Sequence, residues 1–83
     1  MDFVKGRLVR SKAGRDKGRT LAVLAVDGQM LLVADGRLRR LQQPKRKKLR
    51  HVAPTATVVD NEVLQSDQLL SAAIAAYDAA HPL

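Results

Sequence analysis

The chain has 83 residues, enough for one small domain with an appendage but not for two domains with separate cores. It contains no cysteine, which excludes disulfides and thiolate chemistry. No apolar run approaches the roughly 20 residues of a membrane-spanning helix, and the first residues lack the basic-then-apolar layout of a secretory signal. We therefore expect a cytoplasmic protein without a membrane partner.

The charge is distributed unevenly along the chain. Residues 1–52 contain all 15 Lys and Arg and only four acidic residues, a formal charge of +11, whereas residues 53–83 contain four acidic and no basic residues, a charge of −4. A segment this basic favours a polyanionic partner, because each neutralised phosphate releases condensed counterions. The alternative is a basic surface that only keeps a small protein soluble.

Short apolar runs separated by turn signals predict β-strands in the first half of the chain. Gly6 indicates a bulge or a close backbone approach, and Asp27-Gly28 and Asp35-Gly36 predict tight hairpin turns. Short strands in a meander suit a small closed or nearly closed barrel. The predicted strands are residues 3–10, 19–26, 29–34 and 37–41, with residues 42–48 as a loop and residues 49–52 as a short closing strand.

The second and third strands are apolar on both faces, so one face must be covered by something outside the barrel. The C-terminal tail is the candidate. Residues 55–65 are predicted as an extended connector, and Ser66 as the N-cap of a helix. Leu70, Ala73, Ile74 and Tyr77 recur with the spacing of one buried helical stripe. We expect a barrel over residues 1–53 and a connector and helix over residues 54–83 that pack on it, in a monomer or weak dimer. The stripe as a dimer or partner contact is the alternative.

Residues 12–18, here called the glycine loop, have the composition of a phosphate-binding turn. Gly14 and Gly18 are expected to adopt positive φ angles and to let the loop turn tightly. Backbone amides would then be exposed, and Lys12, Arg15 and Lys17 would point outward. Asp16 is expected to organise the loop by hydrogen bonds to its own backbone.

A second basic segment covers residues 44–51, and further arginines precede it. Such a block repels itself unless it lies in solvent or against phosphate. A nuclear-import signal and a merely solvated charge run are the alternatives. The only aromatic residues, Phe3 and Tyr77, are predicted to pack inside the protein. Recognition of splayed single-stranded bases, which uses exposed aromatics, is therefore disfavoured relative to recognition of backbone and shape in folded RNA.

Three segments in order resemble a known family. Ala13 to Gly18, Val33 to Gly36 followed by Arg39-Arg40, and Pro44 to His51 resemble the KOW motif and its surroundings in bacterial KOW-domain RNA-binding proteins. Those proteins are small relatives of a KOW-containing large-subunit ribosomal protein of archaea and eukaryotes. The likeness covers residues 3–53.

The resemblance implies an SH3-like barrel that binds structured RNA, ribosomal RNA above all, in the neighbourhood of ribosomal proteins. The candidate RNA-binding residues are Lys12, Arg15, Lys17, Arg37, Arg39, Arg40, Lys45, Arg46, Lys47, Lys48, Arg50 and His51.

Residues for catalysis are scarce. His51 and His81 are the only imidazoles, and neither metal-ligand spacing nor a Walker loop is present in the sequence. We expect a non-catalytic protein without a cofactor or metal. Two other functions stay open: a protein-interaction module in transcription or ribosome assembly that uses the barrel and the C-terminal helix, and non-specific DNA binding.

Overall fold

The computed structural model of the protein describes residues 2–82, which form an antiparallel sheet in the order β4-β3-β2-β1-β5 and a C-terminal α-helix. The mainly β fold of about five strands with a C-terminal helix, of the small SH3-like barrel type, is confirmed. The strands are β1 (Arg7–Ser11), β2 (Thr20–Asp27), β3 (Met30–Ala34), β4 (Lys45–Lys48) and β5 (Val52–Val58), and the helix is α1 (Asp67–Ala80). Two 3₁₀ helices cover Leu49–His51 and Asn61–Gln65.

Two predictions that depend on glycine positions can be compared with the structure. The hairpin turn between β2 and β3 is present one residue later than predicted: Asp27 pairs with Met30, and the turn residues are Gly28, with a φ of 60°, and Gln29. The close backbone approach predicted at Gly6 is also present. The Gly6 carbonyl accepts a hydrogen bond from the Val59 amide at 2.9 Å, and a Cβ at Gly6 would lie 2.6 Å from the Val59 carbonyl oxygen.

The predicted fourth strand over residues 37–41 is wrong, because those residues form bends and turns. The strand lies instead at Lys45–Lys48, within the predicted loop, where Lys45 pairs with Val33 and Lys47 with Leu31. Four consecutive cations have a low strand propensity, but the backbone hydrogen bonds offered by the free edge of β3 override it. The predicted closing strand over residues 49–52 is a 3₁₀ turn as far as His51.

β5 continues past residue 53, the predicted end of the barrel, and pairs with β1 as far as Val58. The predicted extended connector over residues 55–65 is therefore strand at its start and the 3₁₀ helix Asn61–Gln65 at its end. Ser66 caps α1 as predicted, since its hydroxyl oxygen accepts a hydrogen bond from the Leu69 amide at 3.3 Å.

The sheet separates two apolar clusters. Successive side chains of a strand point alternately to the barrel interior and to the outer face of the sheet. On the outer face, Leu70 and Ile74 of α1 pack against the strands, so the helix covers the second apolar face of β2 and β3. The interior cluster consists of Val9, Leu21, Val23, Leu31, Val33 and Val52, with Phe3 and Leu49 against it; the outer cluster consists of Leu8, Ala22, Ala34, Leu64, Leu70 and Ile74, with Leu24, Leu41, Val59, Val63 and Tyr77 against it.

Full burial of a side chain such as Leu70 stabilises the fold by about 1.5–3 kcal/mol. Within residues 2–82, no helix combines the length and apolar composition that crossing a membrane would require.

Candidate nucleic-acid interface

The glycine loop connects β1 to β2 and is closed by backbone hydrogen bonds. The Gly18 amide donates to the Ser11 carbonyl and the Arg19 amide to the Asp16 carbonyl, both at 2.8 Å. Gly14 and Gly18 have φ angles of 76° and 86°, which confirms the predicted positive values. The loop exposes three predicted site residues, namely Lys12, Arg15 and Lys17.

The side chain of Asp16 lies in the middle of the basic segments and is only 4% exposed. Instead of bonding to its own backbone, its carboxylate accepts a hydrogen bond from Lys45 Nζ at 2.8 Å, and Arg39 Nη2 lies 3.5 Å from the same oxygen. One buried carboxylate thus connects the glycine loop to β4 and to the segment that contains Arg39.

The cations around Asp16 determine its ionisation. Burial by itself would raise the pKa of Asp16, but the hydrogen bond from Lys45 and the charges of Lys45, Arg39 and Lys47 outweigh burial. The pKa of Asp16 is therefore lowered from its ordinary value of 3.8. The carboxylate stays negative at neutral pH and offsets part of the positive charge around it.

Lys47 is not on the surface where the sequence placed it. The residue is 6% exposed, and its Nζ donates a hydrogen bond to the carbonyl oxygen of Ala13 at 2.9 Å. Burial lowers the pKa of Lys47, and the charge of Lys45 lowers it further. Lys47 therefore fastens the glycine loop to β4 and leaves no exposed ammonium for a phosphate. Lys47 pairs with Leu31 across β3 and β4, so its side chain points to the same face of the sheet as Leu31 and Val33.

Residues 35–41, here called the arginine loop, carry the next group of cations. Asp35 organises this loop, because its Oδ1 accepts hydrogen bonds from the amides of Arg37 at 2.8 Å and Arg39 at 2.9 Å. The Asp35 amide in turn donates to the Arg39 carbonyl at 2.8 Å. The turn predicted at Asp35-Gly36 is thus a wider loop than a two-residue hairpin. Arg37 and Arg40 are exposed, while Arg39 is half-buried beside Asp16.

Along β4 the cations alternate between two environments. Lys45 and Lys47 turn toward the glycine loop, whereas Arg46 and Lys48 are exposed. Arg46 lies 3.5 Å from the exposed carboxylate of Asp27, a surface pair of little energetic weight.

The 3₁₀ turn after β4 carries the last two predicted residues, Arg50 and His51. Arg50 is exposed and His51 half-buried. The His51 carbonyl accepts a hydrogen bond from the Lys12 amide at 2.7 Å, so this turn touches the start of the glycine loop. Partial burial lowers the pKa of His51, and the charges of Arg50, Lys48, Lys47 and Lys12 lower it further. The lowered pKa favours the neutral imidazole of His51, which is a hydrogen-bonding group.

Arg19 is a further exposed cation of this basic region that was not predicted. It is exposed and follows the glycine loop directly, and together with Arg37 it lines a groove of about 280 Å³ between the sheet and α1. Its position immediately after Gly18 was the available signal, whereas no local pattern indicated that Arg37 would lie across the groove.

The contacts through Asp16, Lys47 and Lys12 therefore bring segments that are far apart in the chain into one basic region of the fold. Its exposed cations are Lys12, Arg15, Lys17, Arg19, Arg37, Arg40, Arg46, Lys48 and Arg50. In residues 2–82, no three His, Asp or Glu side chains are grouped so that they could hold a metal ion. The arrangement is suited to binding an extended polyanion.

In comparisons with protein-family models and with curated proteins, the chain matches none. The KOW resemblance stays a prediction that depends on the three sequence segments quoted above.

Proposed function

We propose that this protein binds structured RNA, in particular ribosomal RNA, through the phosphate backbone and shape of the RNA and without catalysis. The observation that carries the proposal is the convergence of the glycine loop, the arginine loop and β4 on Asp16. This convergence brings basic segments with exposed cations into one region of the fold, and clustered cations attract phosphates by counterion release. The cytoplasm, where ribosomes work, is the compartment that the proposal implies.

The positions of the aromatic residues support backbone recognition over base stacking. Phe3 packs against the interior cluster and Tyr77 against the outer cluster, so neither is an exposed platform for a base. Arginine can form two-pronged contacts with phosphate and lysine supplies a point charge. Exposed arginines and lysines of this kind are suited to folded RNA, which presents phosphates on a curved surface.

The rival function is a protein-interaction module that holds a partner with the helical stripe of α1. Leu70 and Ile74, the centre of that stripe, are buried against the sheet and so are unavailable to a partner. Their burial favours RNA as the ligand.

Affinity for a folded ribosomal RNA fragment, measured against salt concentration, tests the proposal. If about six phosphates are contacted, the logarithm of the affinity should fall with the logarithm of the salt concentration at a slope of roughly −4 to −5. Duplex DNA of equal charge serves as the competitor. Equal affinity for both nucleic acids would indicate non-specific binding, and no affinity for either would refute the proposal.

Paired substitutions locate the binding surface. Arg15→Ala with Lys17→Ala removes two exposed charges from the glycine loop, and we expect about a tenfold loss of affinity at moderate salt. Lys5→Ala is the control, because Lys5 is exposed and lies beyond the end of β1 that is opposite to the glycine loop. Because Lys5→Ala removes one charge and the paired variant removes two, an equal loss of affinity per charge removed would show that only net charge matters.

Sedimentation of the tagged protein in a lysate tests the ribosomal assignment. We expect the protein in ribosomal fractions at low salt and its release at high salt. Absence from those fractions at low salt, together with retained affinity for purified RNA, would point to a different structured RNA.

A further inference from the structure

The arginine loop is attached to the acidic helix at both of its ends. At one end, Gly36 lies against the backbone of the first turn of α1: a Cβ there would overlap the Asp67 carbonyl oxygen and lie 2.9 Å from the Ser71 amide nitrogen. At the other end, the Leu41 amide donates a hydrogen bond to Asp67 Oδ1 at 2.8 Å. The Leu41 side chain also packs against the outer cluster, which α1 covers. The segment that carries the exposed Arg37 and Arg40 therefore has both ends fixed by α1.

The charge of Asp67 makes this attachment informative. An acidic group next to a phosphate-binding loop should weaken RNA binding by simple electrostatics. The Asp67 carboxylate, however, is taken up by the backbone of the arginine loop rather than by any of its cationic side chains. Its contacts are those of a group that shapes the loop.

We propose that α1 is a positioning element of the RNA-binding surface, with Asp67 as the positioning residue that holds Arg37 and Arg40 in their binding geometry. This inference rests on the RNA-binding function proposed above. The acidic tail of the chain then takes part in binding without touching phosphate, and loss of the Asp67 contact should cost affinity even though a negative charge is removed.

Two substitutions that change the charge equally separate shape from charge. Asp67→Ala removes both the charge and the hydrogen-bond acceptor, whereas Asp67→Asn removes the charge and keeps an amide oxygen that can accept from Leu41. Glu62→Ala is the matched control, because Glu62 is an exposed acid of the second 3₁₀ helix outside the contacts of the arginine loop. All three variants lose one negative charge.

We expect Asp67→Ala to weaken binding to the folded RNA about 3- to 10-fold and to flatten its salt dependence by about one to two units of slope, since contacts by Arg37 and Arg40 are lost. Asp67→Asn and Glu62→Ala should bind as well as the unmodified protein or better. If Asp67→Ala only destabilised the fold, a smaller fraction of the protein would bind RNA, but the slope of the salt dependence would be unchanged. Equal affinity and slope in all three variants would overturn the inference.

Amide hydrogen exchange on the free protein tests the positioning role without RNA. Asp67→Ala should lose protection at the amides of Arg37, Arg39 and Leu41, while the amides of Gly18 and Arg19, which close the glycine loop, keep theirs. Unchanged protection in the arginine loop, or an equal loss at all amides, would overturn a local role. If the unmodified protein fails to bind RNA while these exchange changes are observed, the proposed function is refuted and the structural role of Asp67 remains.

Discussion

The two basic loops are held in place by different kinds of contact. The glycine loop is fastened to β4 by charges, through Asp16 with Lys45 and through the buried ammonium of Lys47. The arginine loop is fastened to α1 by close backbone packing at Gly36 and by the hydrogen bond from the Leu41 amide. The first arrangement uses cations for structure, while the second leaves Arg37 and Arg40 exposed. The stability of the two loops should therefore respond differently to steric change, to charge and to pH.

The largest expected effect is steric and confined to the arginine loop. Gly36→Ala should lower the free energy of unfolding by about 2–4 kcal/mol, because a Cβ overlaps the helix backbone and the positive φ adds strain. Gly14→Ala is the matched change in the glycine loop. It has a similar φ but only an ordinary contact of 3.7 Å with Lys47 Nζ, so we expect about 1–2 kcal/mol. Urea denaturation measures both, and equal losses would contradict close packing of the arginine loop on α1.

A smaller effect is expected from removing the charge that fastens the glycine loop. Asp16→Asn leaves Lys45, Arg39 and Lys47 without a counter-charge and should cost about 1–2 kcal/mol, a value reduced by the partial exposure of its partners. Asp27→Asn breaks an exposed pair with Arg46 and should cost less than about 0.5 kcal/mol. Thermal denaturation of the two variants gives the comparison, and an Asp16→Asn variant as stable as Asp27→Asn would refute the electrostatic attachment.

The same carboxylate gives the glycine loop a dependence on acid pH. The pKa of Asp16 is lowered in the folded protein, so its contribution is fully present above its ordinary value of 3.8 and is lost as the pH falls through the lower folded value. The difference in unfolding free energy between the unmodified protein and Asp16→Asn should therefore shrink as the pH falls below about 4. Denaturation between pH 2 and pH 6 measures this difference, and a constant gap over that range would contradict the ion pairs.

The smallest expected effect distinguishes a structural cation from an exposed one. Lys47→Met keeps the apolar stem and removes a buried charge whose pKa is lowered by burial. The slope of the logarithm of RNA affinity against the logarithm of salt concentration should stay unchanged, because the enclosed ammonium group contacts no phosphate. Lys48→Met removes an exposed charge from the next position and should flatten that slope by about one unit. A flatter slope for Lys47→Met than for Lys48→Met in binding titrations would return Lys47 to the interface.

The sequence predicted best those features that depend on adjacent residues. The Gly28 turn, the positive φ of Gly14 and Gly18, and the Ser66 cap each follow from local backbone chemistry. The position of β4 was wrong because pairing with β3, a long-range interaction, overrides the low strand propensity of lysine.

Buried Lys47 could not be distinguished from its exposed neighbours for a related reason. Within a run of four cations, only the alternation of the strand and the distant carbonyl of Ala13 decide which side chain is enclosed. Asp16 likewise lies 29 residues before its partner Lys45, so no local pattern connects them. The sequence therefore showed which residues are cations, but only the tertiary fold shows which of them are buried for structure and which are exposed.

The edge position of β4 has a consequence for self-association. In the described part of the chain β4 lies at one end of the sheet and pairs only with β3, so its other side offers unpaired backbone groups. An unpaired edge is a template for strand addition between molecules, and charged side chains, lysine above all, are a common protection against it. Arg46 and Lys48 are exposed on this edge, so two molecules approaching edge to edge would bring four exposed positive charges together. The same residues that supply charge for a polyanion thus also keep one copy of the sheet from extending into the next.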